Sequence, residues 1–411
     1  LIFHSSLSTI GFMFLLLVGL LKSMDSSYEE AAITLGASRL KTMLTITFPL
    51  MLPGILSVSL LVFISGLESF ENPLLFGNPG GVYVFSNEIY RMLKYRHPPE
   101  YGVATALSVV LVIVTFIMLL LQSRQLGDRQ FSVITGKGYR PTLIRLPNPA
   151  RWSIFAAFVV YFLLAIVIPV VQIVVNSFFP IFGYYSLDLI TLDNWTTLLG
   201  DRRAVGSIWN TLIFSGIAAI VVVLIGALVG YIRVRTNHWL GRVLEMLAWA
   251  PWTLPGIVLS LALLWAWALP PPPFNLYGTA LVIIIGFVVK GLPLGVSTMQ
   301  SSIHQLGPEL EESARVHGGT WLRTARDILA PLLSRGAVAA FIIVFALVSR
   351  DLTIPLLLYT TGTETLTVTL LYYYELGRLG LVAAAAVIQL GFLAALLLLL
   401  QLVNRQSNPV H

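Results

Sequence analysis

Apolar runs recur along the chain, each close to the roughly 20 residues a helix needs to cross a hydrocarbon core, and short polar stretches separate them. Windows of this kind predict nine spans, near 6–22, 54–70, 103–122, 152–176, 209–232, 244–269, 279–299, 329–349 and 383–403. A transmembrane β-barrel would show shorter segments alternating between apolar and polar residues. The pattern therefore predicts an all-α polytopic membrane protein.

Composition agrees: 57% of the 411 residues are hydrophobic and 11% charged, and the mean hydropathy is +0.85, too apolar for the surface of a water-soluble protein of this length. There is no cysteine, which excludes disulfides, thiolate metal sites and cysteine nucleophiles. A net charge of +6 suggests nucleic acid in a soluble protein, but in a membrane protein the basic residues first have to be sorted by side. If the loop after the first span is cytoplasmic, so are 22–53, 123–151, 233–243, 300–328 and the C-terminal tail. The second of these segments then carries Arg124, Arg129, Lys137, Arg140, Arg145 and Arg151 against Asp128, and the third carries Arg233, Arg235 and Arg242 without an acid. That orientation obeys the positive-inside rule, and the opposite one reverses it. The partner implied is membrane lipid, with no nucleic acid. The other side receives the membrane-breaking stretches Asn78-Pro79-Gly80-Gly81, Pro270 to Pro273 and Thr361-Gly362-Thr363.

The basic segment is the natural linker, giving 1–123 as a first half, 124–151 as a cytoplasmic linker and 152–411 as a second half. An internal repeat supports two halves. At a constant offset of 282 residues, Glu30, Ala32, Gly36, Leu40, Thr42, Ile46, Pro49, Leu50 and Gly54 reappear as Glu312, Ala314, Gly318, Leu322, Thr324, Ile328, Pro331, Leu332 and Gly336. Pro73-Leu74-Leu75 returns as Pro355-Leu356-Leu357 at the same offset. The second half has six expected spans and the first three, so a repeat of equivalent units implies about 130 residues and three spans ahead of Leu1. The start, with neither a basic n-region nor a cleavage site, reads as an interior point of a longer chain. Six spans per half is an even number, so the halves are expected to be parallel repeats.

Both repeats carry, on the side chosen by the basic residues, the same segment: Glu, small, Ala, three residues, Gly, nine residues, Ile, two residues, Pro. The first copy is Glu30-Ala31-Ala32, Gly36, Ile46, Pro49, and the second Glu312-Ser313-Ala314, Gly318, Ile328, Pro331. Small residues let a short helix lie close to a partner surface, and a glycine supplies the left-handed turn that ends it. Ser38 and Thr320 are suited to cap a second helix, and the prolines mark re-entry into the bilayer. Two copies at one spacing resemble the EAA loop of binding-protein-dependent ABC importer permeases. Asn210-Thr211-Leu212 and Leu254-Pro255-Gly256 are also similar to that family.

The resemblance implies two parallel six-helix permease repeats, the first truncated to three helices, with cytoplasmic coupling helices in a bacterial inner membrane. It also implies that the C-terminus is cytoplasmic. Glu30, Ala31, Ala32, Gly36, Glu312, Ser313, Ala314 and Gly318 would meet an ABC ATPase subunit dimer, and a solute-binding protein would deliver the substrate. The chain itself would be no enzyme and hold no cofactor, ATP belonging to the partner subunit. Both halves fused in one chain resembles the iron(III) importer permeases, with thiamine importer permeases built similarly. The stretches Phe70 to Gly80 and Arg350 to Leu366 are similar to the iron(III) group.

Four residues stand apart from the motif. Lys290 lies in an apolar span, where a central charge costs about 2.5–3.5 kcal/mol on insertion scales. It either faces a water-filled path or is satisfied by carbonyls freed at a Gly291/Pro293 kink. Glu68, Glu71 and Asp351 lie at span ends, around an outer mouth or simply solvated. Gly136-Lys137-Gly138 lacks the spacing of a phosphate loop. His304 and His317 are far from metal-ligand spacing, so no metal site is expected. A secondary transporter would need acidic or histidine relays within its spans and leaves the twin motif unexplained. A membrane enzyme lacks a catalytic cluster at one face.

Overall fold

A computed structural model describes residues 1–23, 27–126, 147–236, 238–271 and 275–405. Most of the expected linker at 124–151, including Gly136-Lys137-Gly138, lies outside them, as do Pro272, Pro273 and the final residues from 406. The chain divides into two compact units, Leu1–Val170 and Val171–His411. Among the described residues eight helices are long and apolar enough to cross a membrane, or nine if one sharply bent pair counts as a single span.

In the first unit α1 (Ile2–Ser23) leads to the short α2 (Ser27–Thr34) and α3 (Arg39–Thr42), then to α4 (Phe48–Glu68). A π-helical turn, Met43–Thr47, joins α3 to α4 without a break, so the helix is already under way ahead of Pro49, the residue expected to mark re-entry into the bilayer. Proline has no N–H and crowds the carbonyl four residues before it. The wider π turn immediately ahead of Pro49 gives that carbonyl room. After α4 come α5 (Phe85–Lys94), α6 (Tyr101–Leu126) and α7 (Asn148–Phe162). Both α1 and α6 pack on α4, and Tyr161 on α7 donates a hydrogen bond to the Leu7 carbonyl on α1 at 3.2 Å.

A π turn at Leu163–Val167 continues α7 into α8 (Ile168–Asn176), within which the two units divide. The second unit goes on through α9 (Asp193–Gly200), α10 (Arg202–Arg235), α11 (Trp239–Trp249), α12 (Gly256–Ala268), α13 (Ala280–His304), α14 (Glu309–Val316) and α15 (Trp321–Thr324). It ends with α16 (Ala330–Ser349), α17 (Thr353–Leu358), α18 (Leu366–Glu375) and α19 (Leu379–Arg405). The single span expected at 244–269 is a pair of helical stretches, Trp239–Thr253 and Gly256–Ala268, bent by 110°. The break falls at Leu254-Pro255, both with extended ψ, because a proline removes a backbone donor and pushes the residue before it out of the helical region.

The core of the second unit is α10, α13 and α16, which interlock through Ala219 and Val222, Ile283 and Phe287, and Val344 and Phe345. Lipid is as apolar as these side chains, so close packing rather than expulsion from water holds such helices together. Small residues make the close approach possible: a Cβ on Gly226 of α10 would lie 2.9 Å from the Gly295 carbonyl carbon on α13.

The repeat read from the sequence returns as structure. The π turn Met43–Thr47 has its counterpart in Ala325–Leu329, again 282 residues on. Ser86 on α5 donates to the Ser69 carbonyl at 2.6 Å, and Thr367 on α18 donates to the Asp351 carbonyl at 2.8 Å. In both cases a hydroxyl at the start of a later short helix ties down the turn that ends a span.

Candidate functional site

The duplicated motif forms the same helix-turn-helix twice. In the first copy α2 ends at Gly36, whose φ of 87° is the left-handed value that glycine adopts without strain. The turn is closed by Gly36 N–H to the Ile33 carbonyl at 2.9 Å and Ala37 N–H to the Ala32 carbonyl at 3.0 Å. In the second copy Gly318, φ 76°, donates to the Arg315 carbonyl at 3.0 Å and Gly319 donates to Ala314 at 2.9 Å. These bonds, six-to-one from Ala37 and Gly319, satisfy carbonyls that a helix end otherwise leaves open. Ser38 Oγ then accepts from Lys41 N–H and Thr320 Oγ1 from Arg323 N–H, each at 3.4 Å, and start α3 and α15.

The motif residues present one exposed face. Glu30, Ala31, Glu312 and Ser313 are exposed, while Ala32 is buried and Ala314 half-buried. Leu40 and Leu322, equivalent positions on α3 and α15, are 64% and 71% exposed, so each copy exposes a leucine as well as its glutamate.

The acid preceding each motif glutamate turns inward, which the sequence reading missed. Glu29 is half-buried and accepts a hydrogen bond from Thr47 Oγ1 at 2.6 Å. Glu311 is buried and accepts from Arg235 Nε at 2.7 Å and from Tyr231 at 2.8 Å, both on the last turns of α10. The signal was present: Glu29 and Glu311 stand at the repeat offset like Glu30 and Glu312.

Lys290 and Asp351, singled out separately, come together as an ion pair, and Lys290 also donates to Thr353 Oγ1 at 3.3 Å. The lysine is therefore met by a carboxylate rather than by carbonyls freed at the Pro293 kink. Asp351 further accepts from Ile354 N–H at 2.8 Å, so one buried carboxylate caps α17 and neutralises α13. Glu68 closes α4 half-buried and Glu71 is exposed just beyond it. His304 and His317 are exposed, and the described residues contain no cluster of three or more histidine, aspartate or glutamate side chains suited to a metal ion.

A further polar cluster gathers where α9 meets α10. Asp201 caps α10, accepting from Arg203 N–H at 2.8 Å, and accepts a hydrogen bond from the Tyr373 hydroxyl. The Tyr373 bond holds the Asp201 carboxyl below the usual carboxylate range, against the opposing effect of burial. Burial first, and the Asp201 bond second, push the Tyr373 phenol well above its ordinary range. Arg203 pairs with buried Glu364 at 3.2 Å, and Glu364 accepts from Gly362 N–H at 2.7 Å. These bonds fasten the 359–365 turn to α10.

Spans of membrane length, a helical plan used twice and a duplicated exposed loop define a multi-spanning helical membrane protein with two related halves. The family described as "Binding-protein-dependent transport system inner membrane component" matches residues 1–127 and 222–408. The chain belongs to that family. It is similar to the ferric transport system permease protein FbpB of Actinobacillus pleuropneumoniae, with 31% identity covering 94% of this chain and 55% of that protein. It is also similar to the putative ferric transport system permease protein FbpB 1 of Haemophilus influenzae, with 32% identity covering 89% and 56%. The chain thus spans about half the length of the curated relatives it matches. A chain in the crystal structure of a bacterial ABC transporter involved in import of the acidic polysaccharide alginate aligns with 63% of this chain and 96% of its own. The TM-score is 0.49 and the identity 15%.

Proposed function

We propose that this chain is the membrane-spanning permease of an ATP-driven importer. Its two halves, 1–123 and 152–411, would be parallel repeats joined by a basic cytoplasmic linker, and the C-terminus would be cytoplasmic. A solute-binding protein delivers the substrate on the outer side, and an ABC ATPase subunit dimer docks on the two cytoplasmic loops and hydrolyses ATP. The observation that carries this reading is the duplicated loop. Two helix-turn-helix units with the same left-handed glycine, cap and π turn each expose a glutamate and a leucine, a charged and an apolar contact for one partner surface. Two equivalent contacts suit a dimeric partner whose closure moves both halves.

The substrate we propose is ferric iron, supported by the similarity to the two ferric transport permeases above. Glu68 and Glu71 would line the outer mouth that a cation enters. ATP-dependent uptake of ferric iron and of thiamine, by the chain reconstituted with its ATPase and binding protein, tests the substrate. The expected result is uptake of iron without thiamine; uptake of thiamine alone would overturn the iron assignment and leave the importer reading standing.

A further inference from the structure

The second loop is gripped from inside at several points, all on the last turns of α10. Tyr231 and Arg235 are four residues apart and so share one face of the helix. The Arg235 guanidinium spans two groups, donating from Nε to Glu311 at 2.7 Å and from its Nη2 atom to the Leu306 carbonyl at 2.8 Å. Two contacts through a planar fork fix direction as well as distance. The Tyr231 hydroxyl donates to Glu311 at 2.8 Å and accepts from Trp321 Nε1 at 3.2 Å, and the Tyr231 and Trp321 rings meet edge to face at 6.0 Å. The entry to α14, the first turn of α14 and the first residue of α15 are thus all fastened to one helix. Only 13% of the Arg235 side chain and 7% of the Glu311 side chain are exposed. A buried pair of this kind tolerates loss of one partner badly, because the remaining charge stays buried.

The first loop is held differently. Its inner acid, Glu29, is bonded to Thr47, in the π turn that enters α4. The residue equivalent to Thr47 in the second copy is Leu329, which has no hydroxyl, so Glu311 cannot repeat that bond.

Neighbouring residues on α14 therefore face opposite ways: Glu312 is exposed, while Glu311 is locked to α10. We infer that Glu311, held by Arg235 and Tyr231, is the positioning residue that makes the second loop move with α10, so that a push on α14 reaches the α10–α13–α16 core directly. This inference rests on the importer reading, and its test separates the two.

The experiment compares wild type, Glu311→Gln and Tyr231→Phe in the complete chain, reconstituted with its ATPase and binding protein. It measures radiolabelled ferric iron taken up per ATP hydrolysed, together with amide hydrogen exchange over residues 309–316. Glu311→Gln removes the charge facing Arg235, and Tyr231→Phe removes one bond and keeps the ion pair, so the second variant decides if the first does not assemble. A merely structural role would lower the amount of assembled complex and leave the iron-to-ATP ratio of what remains unchanged. The expected result is faster exchange over 309–316 and a ratio lower by about tenfold in Glu311→Gln, within the range typical of coupling between sites, with a smaller fall in Tyr231→Phe. A wild-type ratio in both variants would overturn the inference and leave the importer reading intact. No ATP-dependent uptake of either iron or thiamine by wild type would overturn the importer reading itself, and the inference with it.

Discussion

Lys290, within α13, is paired with Asp351 from the turn that follows α16, two residues 61 positions apart in the chain. Asp351 is the more deeply buried, with 4% of its side chain exposed against 24% for Lys290. In a low-dielectric setting such a pair contributes modestly as a unit, and removing one member costs far more than removing both.

Lys290→Met is therefore expected to destabilise the second unit by about 3–5 kcal/mol, because it strands a buried carboxylate. The double variant Lys290→Met/Asp351→Asn should recover most of that loss, since an asparagine oxygen still accepts from Ile354 N–H. Thermal unfolding in detergent checks both; a double variant no more stable than the single one would count against the pairing.

The contact of Gly226 with Gly295 leaves no room for a side chain. Gly226→Ala should force α10 and α13 apart and cost about 1–3 kcal/mol by overpacking. Gly216, also on α10, has open space around it, so Gly216→Ala is expected to leave the melting temperature nearly unchanged.

Protonation sets a pH window for the cluster around Asp201. The Asp201 carboxyl is held low, so its contribution is present above the ordinary aspartate value, about 4, and lost as pH falls through the lowered value. The Tyr373 phenol is held high, so its contribution is present below the ordinary tyrosine value, about 10, and lost as pH rises through the raised value. Tyr373→Phe should lower stability across the intervening range and flatten both edges, as measured by unfolding at a series of pH values.

The spans were legible because a membrane demands long apolar runs, and that demand is local in sequence. The loop geometry was legible for a similar reason: Gly36, Ser38, Gly318 and Thr320 act on backbone groups within a few residues. The 110° bend was not, although Leu254-Pro255-Gly256 stood out, because an apolar window averages over a proline that removes a donor. The partner of Lys290 was hidden because it comes from another helix end. Glu311 escaped notice because the motif draws the eye to Glu312, and only packing shows which of two adjacent acids turns inward.

In the proposed function the two exposed glutamates, Glu30 and Glu312, transmit ATP hydrolysis to the membrane helices. The most direct test is ATP-dependent uptake by Glu30→Arg/Glu312→Arg, compared with wild type in the same reconstituted system and scored against ATP hydrolysed and protein inserted. Normal insertion, continuing hydrolysis and loss of uptake are expected, since both substitutions alter exposed side chains. Full uptake by the double variant would contradict that role.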